Sequence, residues 1–141
     1  MPDRANKQNK PAKAAPKPAR IEAVDHVRLE ASVASAEELR WFYGELLGLP
    51  AVAGSVVDGL RFRSDRLHLH IRLCHEPLVE PIAVRAVLLV PSLSAAAEVL
   101  TQREISFQRV SGLDATDRRL SLLDPGGNRV ELKQAWPVAP L

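Results

Sequence analysis

The sequence predicts an α+β domain of two tandem modules, each a strand, a helix and then two or three strands, with a disordered basic N-terminal tail. Three observations carry this. First, Ser64 to Leu69 and Asp124 to Leu132 share one shape: a polar turn, an Arg, then an apolar-polar-apolar triplet, which lays His68 on Glu131 at an offset of 63. Second, His26 to Ser32 lies on Arg85 to Pro91 at an offset of 59, matching His26 with Arg85 and Leu29 with Leu88. Third, each half runs strand, helix, then two or three strands. Self-similarity of this kind marks a duplicated unit.

The elements follow in order. Ile21 to Ala31 is a strand whose alternation puts His26, Arg28 and Glu30 on one face, opposite Val27 and Leu29. Ser35, with Glu38 three residues on, reads as a capping box opening a helix. Leu39, Phe42, Tyr43, Leu46 and Leu47 recur at helical spacing and form its buried stripe. Gly48 ends the helix and Pro50 prevents its return. Trp41 on this helix is a candidate ligand platform, although packing is the commoner role of a helical aromatic. A weak strand follows at 51–57. Leu60 to Arg63 and Leu67 to Leu73 are strands, the second placing His68, His70 and Arg72 on one face. His75 to Pro81 is a linker. In the second half, Val84 to Val90 is a strand, Ser94 caps a helix ending near Glu104, and Ile105 to Val110 is a strand. Arg119 to Leu123 and Asn128 to Gln134 form a hairpin around Asp124-Pro125-Gly126-Gly127, residues suited to a tight turn.

Length and composition fit one domain of 141 residues with 46% hydrophobic residues, enough for a core. Residues 1–20 hold six Lys or Arg, one Asp and four Pro. The remainder has 13 basic and 16 acidic residues, so the basic pI of 9.0 belongs to the tail. The tail has no apolar run to offset its ordering entropy, so disorder is expected. It also lacks the apolar segment of a secretory signal. Its charge could attract nucleic acid, but the acidic body without a stacking platform argues against that partner. No stretch is apolar enough to span a membrane. The single cysteine, Cys74, excludes an intrachain disulfide and fits a cytoplasmic location. The expected organisation is tail 1–20, domain 21–136 (module one 21–74, module two 82–136) and a C-terminal extension 137–141.

Four segments resemble the vicinal oxygen chelate superfamily of glyoxalases, bleomycin-resistance proteins and extradiol dioxygenases. They are Asp25-His26-Val27, Phe42-Tyr43 with Leu47-Gly48-Leu49, Leu67-His68-Leu69, and Asp124 to Leu132. The resemblance covers about residues 21 to 136. It implies two tandem βαβββ modules forming half-barrel sheets around a central cavity that holds a divalent metal, with ligands on the first and last strands of each module. Those positions are His26, His68, Arg85 and Glu131. Arg85 departs from the pattern, which usually has His or Gln there. A guanidinium has no lone pair to give a metal. At about 4 Å and an effective dielectric near 20, its repulsion of a doubly charged ion is about twice the ~4 kcal/mol of two unit charges.

Two readings follow from this resemblance. In the first, His26, His68 and Glu131 ligate iron, manganese, zinc or nickel, a donor set that suits such ions. The protein would then be a metal-dependent lyase, isomerase or dioxygenase acting on a small oxygenated substrate through two adjacent oxygens. Glu131 or His70 would move a proton as the catalytic group. Arg85, Arg28 and Trp41 would bind substrate. In the second reading the protein binds or sequesters a small molecule without metal, and an Arg85–Glu131 salt bridge replaces the metal site. The resemblance also implies a homodimer, some relatives exchanging modules between chains.

Overall fold

The computed structural model describes residues 17–53, 59–75, 85–112 and 117–135. The tail through residue 16, most of the inter-module linker and the C-terminal extension lie outside the described residues.

Module one contains β1 (Val27–Ser32), a 3-10 turn (Val33–Ser35), α1 (Ala36–Arg40) running into a π-helical turn (Trp41–Leu46), β2 (Gly59–Arg63) and β3 (His68–Cys74). Its sheet has the order β1-β3-β2, with β1 parallel and β2 antiparallel to β3. The weak strand expected at 51–57 is reduced to one bridge, Ala51 to Phe62, among its described residues. Module two contains β4 (Arg85–Val90), α2 (Leu93–Gln102), β5 (Gln108–Ser111), β6 (Arg118–Leu123) and β7 (Arg129–Gln134), ordered β4-β7-β6-β5. Both sheets are unclosed. In each, the module's first and last strands pair in parallel, as a duplicated βαβββ plan requires.

Two helix starts differ from expectation. Ser35 lies inside the 3-10 turn and makes no side-chain cap; Ser32 accepts from the Ala34 amide instead, at 3.3 Å. Ser92, not Ser94, caps α2 by accepting from the Ala95 amide at 3.2 Å. Both real caps sit in extended backbone just outside the helix, where a short side chain can reach back to an unpaired N–H. β1 also starts later than expected, because 21–26 finds no ladder partner. The π-helical turn was not legible: Leu47 donates to the Phe42 carbonyl at 3.0 Å, five residues back. With this wider turn, the adjacent Phe42 and Tyr43 are both buried. Gly48 ends the helix at φ 73°, a conformation in which a Cβ is costly.

Alternation sorts each sheet. Leu29, Ala31, Leu60, Phe62, Leu69 and Ile71 cover the face toward Leu39, Phe42 and Tyr43 of the first helix. Leu120, Leu122, Val130 and Leu132 pack with Ala97 and Leu100 of α2, and one apolar cluster spans both modules. The modules also join through the Asp124–Asn128 turn. Tyr43 donates its hydroxyl to buried Asp124 at 2.6 Å, and Asn128 Nδ2 donates to the Glu30 carbonyl at 3.0 Å. Gly126 approaches β1 so closely that a Cβ there would lie 2.7 Å from that of Ala31. Among the described residues, no helix is long and apolar enough to cross a membrane.

Candidate functional site

The same alternation that buries Leu29, Leu69 and Leu60 turns a polar face away from α1. Across β1, β3 and β2, Arg28 lies opposite His70 and His70 opposite Arg61; Glu30 lies opposite Arg72, and His68 opposite Arg63. This face therefore gathers three of the predicted site residues, Arg28, His68 and His70. His26, one residue before β1, joins them by stacking its ring on His70, with centroids 4.2 Å apart and planes 19° apart. His26 Nδ1 is 2.8 Å from Asp25 Oδ2. That hydrogen bond holds the Asp25 carboxyl below its usual range, and the positive ends of His26, His68 and His70 act in the same direction. His70 is pushed below its ordinary value, first by partial burial and then by His26, Arg61 and Arg28. A cleft of about 480 Å³ adjoins His68, lined also by Glu22, Asp25, Asp65 and Arg66.

In module two, Glu131 is only 3% exposed. Arg119 Nη1 donates to Glu131 Oε2 at 2.9 Å, and Arg119 also forks onto Asp117 through Nε at 3.0 Å and Nη2 at 3.1 Å. Lys133 approaches Asp117 at 3.4 Å. Hydrogen bonding from Arg119, and less so from Lys133, holds Asp117 below the usual carboxylate range. The acids in turn raise Arg119, Asp117 first and Glu131 second. Sequence reasoning missed Arg119 and Asp117. The signal existed: once the turn is placed at 124–128, the hairpin register sets Ser121 opposite Glu131 and Arg119 opposite Lys133, so Arg119 shares Glu131's face.

Arg85 begins β4 opposite Arg129; its expected salt bridge to Glu131 lies outside the described side chains. Trp41 is half-buried at the edge of the apolar cluster, with the Arg103 guanidinium 5.9 Å from its ring centre. That places it in the helix layer rather than on the polar face.

The ladders also revise the internal alignment. Arg28 pairs with His70, and its repeat partner Val87 pairs with Glu131. His70, rather than His68, is therefore the structural counterpart of Glu131. A shift of two residues along a strand preserves the face, so the sequence pattern could not reveal it. The hairpin loop of module two, 124–128, is one residue longer than that of module one, 64–67.

A metal in this site would need several of these donors together. No three His, Cys, Asp or Glu among the described residues are grouped to hold one. His26 is engaged with Asp25 and His70, and Glu131 with Arg119. The donor set within one chain does not fit a metal.

Comparisons with known proteins place the fold. No family model matches the sequence, and no curated protein matches it either. Solved structures do match. A protein assigned to the glyoxalase family from Bacillus anthracis shares 24% identity at TM-score 0.73, covering 85% of this chain and 100% of its own. Lactoylglutathione lyase from Agrobacterium tumefaciens shares 15% at TM-score 0.67, covering 82% of this chain and 96% of its own. TnmS3, an antibiotic binding protein from Streptomyces sp. CB03234, shares 22% at TM-score 0.60, covering 82% and 100%. The chain thus has the vicinal oxygen chelate fold, a scaffold on which both lyases and ligand binders are built.

Proposed function

We propose that this protein binds a small molecule on the polar face of the module-one sheet without a metal as the organising group. One observation carries this reading: Glu131, the one carboxylate at a family donor position, is buried and tied to Arg119 at 2.9 Å. A carboxylate already neutralised by a guanidinium gains little from a cation. Drawing it away from Arg119 would break a charge-assisted hydrogen bond in a nearly dry place, which is costly. The fold shared with an antibiotic binding protein supports the same direction. On the open face, Arg28, His70 and Arg61 supply donors, and the His26–His70 stack supplies a flat surface.

A second copy of the chain would pack on the module-two sheet. Val87 and Leu89 of β4 and Leu123 of β6 are 44%, 67% and 54% exposed on the module-two sheet, apolar area that a homodimer would cover. Sedimentation should give a dimer, and Leu89→Glu should give a monomer.

A second reading keeps the metal and makes the protein a lyase, isomerase or dioxygenase. It is favoured by His26 and His68 lying near one acid, Asp25. It requires Glu131 to leave Arg119 and to meet those histidines, either within the chain or across a dimer. The readings separate on protein stripped of metal by chelation and dialysis. Native mass spectrometry of that protein, incubated with extract of small molecules, should still capture a bound compound. Capture that occurs only after metal is restored would overturn the first reading.

A further inference from the structure

We infer that the Arg28–His70–Arg61 row is a receptor for a small oxyanion, a carboxylate or phosphoryl group that forms the charged end of the ligand. This rests on the proposal that the ligand sits on this face. The row runs straight across the module-one sheet: His70 on central β3 faces Arg28 on β1 and Arg61 on β2. Each guanidinium therefore starts beside the imidazole, and the two arginines stand two strand spacings apart, about 9–10 Å, on either side of it. Nothing among the described residues compensates them. Glu30 is committed to the next row, 3.7 Å from Arg72, and Asp25 is committed to His26. Neither Arg28 nor Arg61 has an ion-pair partner among the described residues, and both are exposed. Arg63, opposite His68, adds a third guanidinium to the same face.

A sheet that keeps two uncompensated guanidinium groups astride an imidazole is shaped for a planar or tetrahedral anion. Each guanidinium can offer a two-pronged fork to oxygen atoms, and the imidazole lies between them. The strands fix the Cα–Cβ directions of all three residues on one face, while the exposed guanidinium stems are ordered on binding. No Phe, Tyr or Trp lies among the described face residues, and one His26–His70 stack is too little for a nucleic-acid strand, whose successive bases each need a platform.

The test is thermal unfolding of the full chain in an anion-poor buffer, with low-millimolar inorganic phosphate, benzoate or neither. The wild type should gain a few degrees with at least one anion, because binding only the folded state stabilises it. A gain with phosphate points to a phosphoryl ligand, and a gain with benzoate to a carboxylate. Arg28→Gln and Arg61→Gln should each lose the anion-dependent gain. Arg40→Gln, an exposed change on α1, should keep it. No gain in the wild type, or a gain unchanged in both row variants, would overturn the receptor. Repeating the scans with chelator separates this from the broader reading. A gain that needs metal would sink the metal-free reading and leave the receptor standing. Capture of an uncharged compound by metal-free protein, with no anion response, would do the reverse.

Discussion

Replacing Tyr43 with Phe removes one oxygen from the seam between the modules. That hydroxyl donates to Asp124 at 2.6 Å, and Asp124 is 4% exposed with no Lys or Arg beside it among the described residues. The carboxylate is held by neutral donors: the Gly126 amide at 2.8 Å, the Asn128 amide at 2.9 Å and Asn128 Nδ2 at 3.1 Å. Those bonds survive the change, so the charge is weakened in its support rather than abandoned. A hydrogen bond to a charged group contributes about 1.5–3 kcal/mol. Phe fills nearly the same space, so packing against Phe42 and Phe62 is kept. Tyr43→Phe should therefore lose about 1.5–3 kcal/mol, or roughly 4–10 °C in Tm for a domain of this size. Urea unfolding followed by tryptophan fluorescence measures it. Asp124→Asn should cost a similar amount, and the double variant less than the sum, because the two share one bond. A loss under about 0.5 kcal/mol, or simple additivity, would refute the hydroxyl as an inter-module tie. Burial, and secondarily the Asp124 charge, push the Tyr43 phenol well above its ordinary range, so the bond should persist through alkaline titration.

Three further expectations follow from the same geometry. Gly126→Ala places a methyl 2.7 Å from the Cβ of fully buried Ala31, which has no rotamer to yield, so it should destabilise by about 1–3 kcal/mol; Ala31→Gly in the same chain should recover part of that, read by urea midpoint. Because His70 titrates below its ordinary 6.5 in the folded chain, the unfolded chain takes up its proton first as pH falls, so stability should decline below about pH 6.5, and His70→Gln should flatten that decline in Tm against pH. Asp117 is shifted down, chiefly by Arg119, so its contribution is present above its ordinary 3.8 and lost as pH falls further; Arg119→Gln should remove it and lower Tm at neutral pH by leaving Glu131 less supported, which a matched Glu131→Gln change should partly restore.

Most of the fold was legible because strand alternation and the internal repeat agree. Leu29, Leu69 and Ile71 are buried where period two puts them, and the Asp124 turn sits where Pro and two Gly require it. Boundaries moved where local signals compete: Ser35 and Ser94 each resemble a cap, but Ser32 and Ser92 stand where the backbone is extended. The site was legible only by face. His26, His68, His70 and Arg28 emerged as neighbours, since same-strand parity predicts that. Their partners depended on loop length and hairpin register, which fix whether His68 or His70 matches Glu131 and bring Arg119 to it. The Tyr43–Asp124 bond joins residues 81 apart in the chain through a π-helical turn, and no local pattern encodes it.

The most direct measurement is metal per chain in untagged protein, before and after soaking in zinc, iron, manganese or nickel, with Glu131→Gln alongside. Sub-stoichiometric metal in both proteins, unchanged on soaking, is what a carboxylate locked to Arg119 predicts. About one equivalent in the wild type, lost in Glu131→Gln and in His68→Ala, would contradict it and restore His26, His68 and Glu131 as ligands.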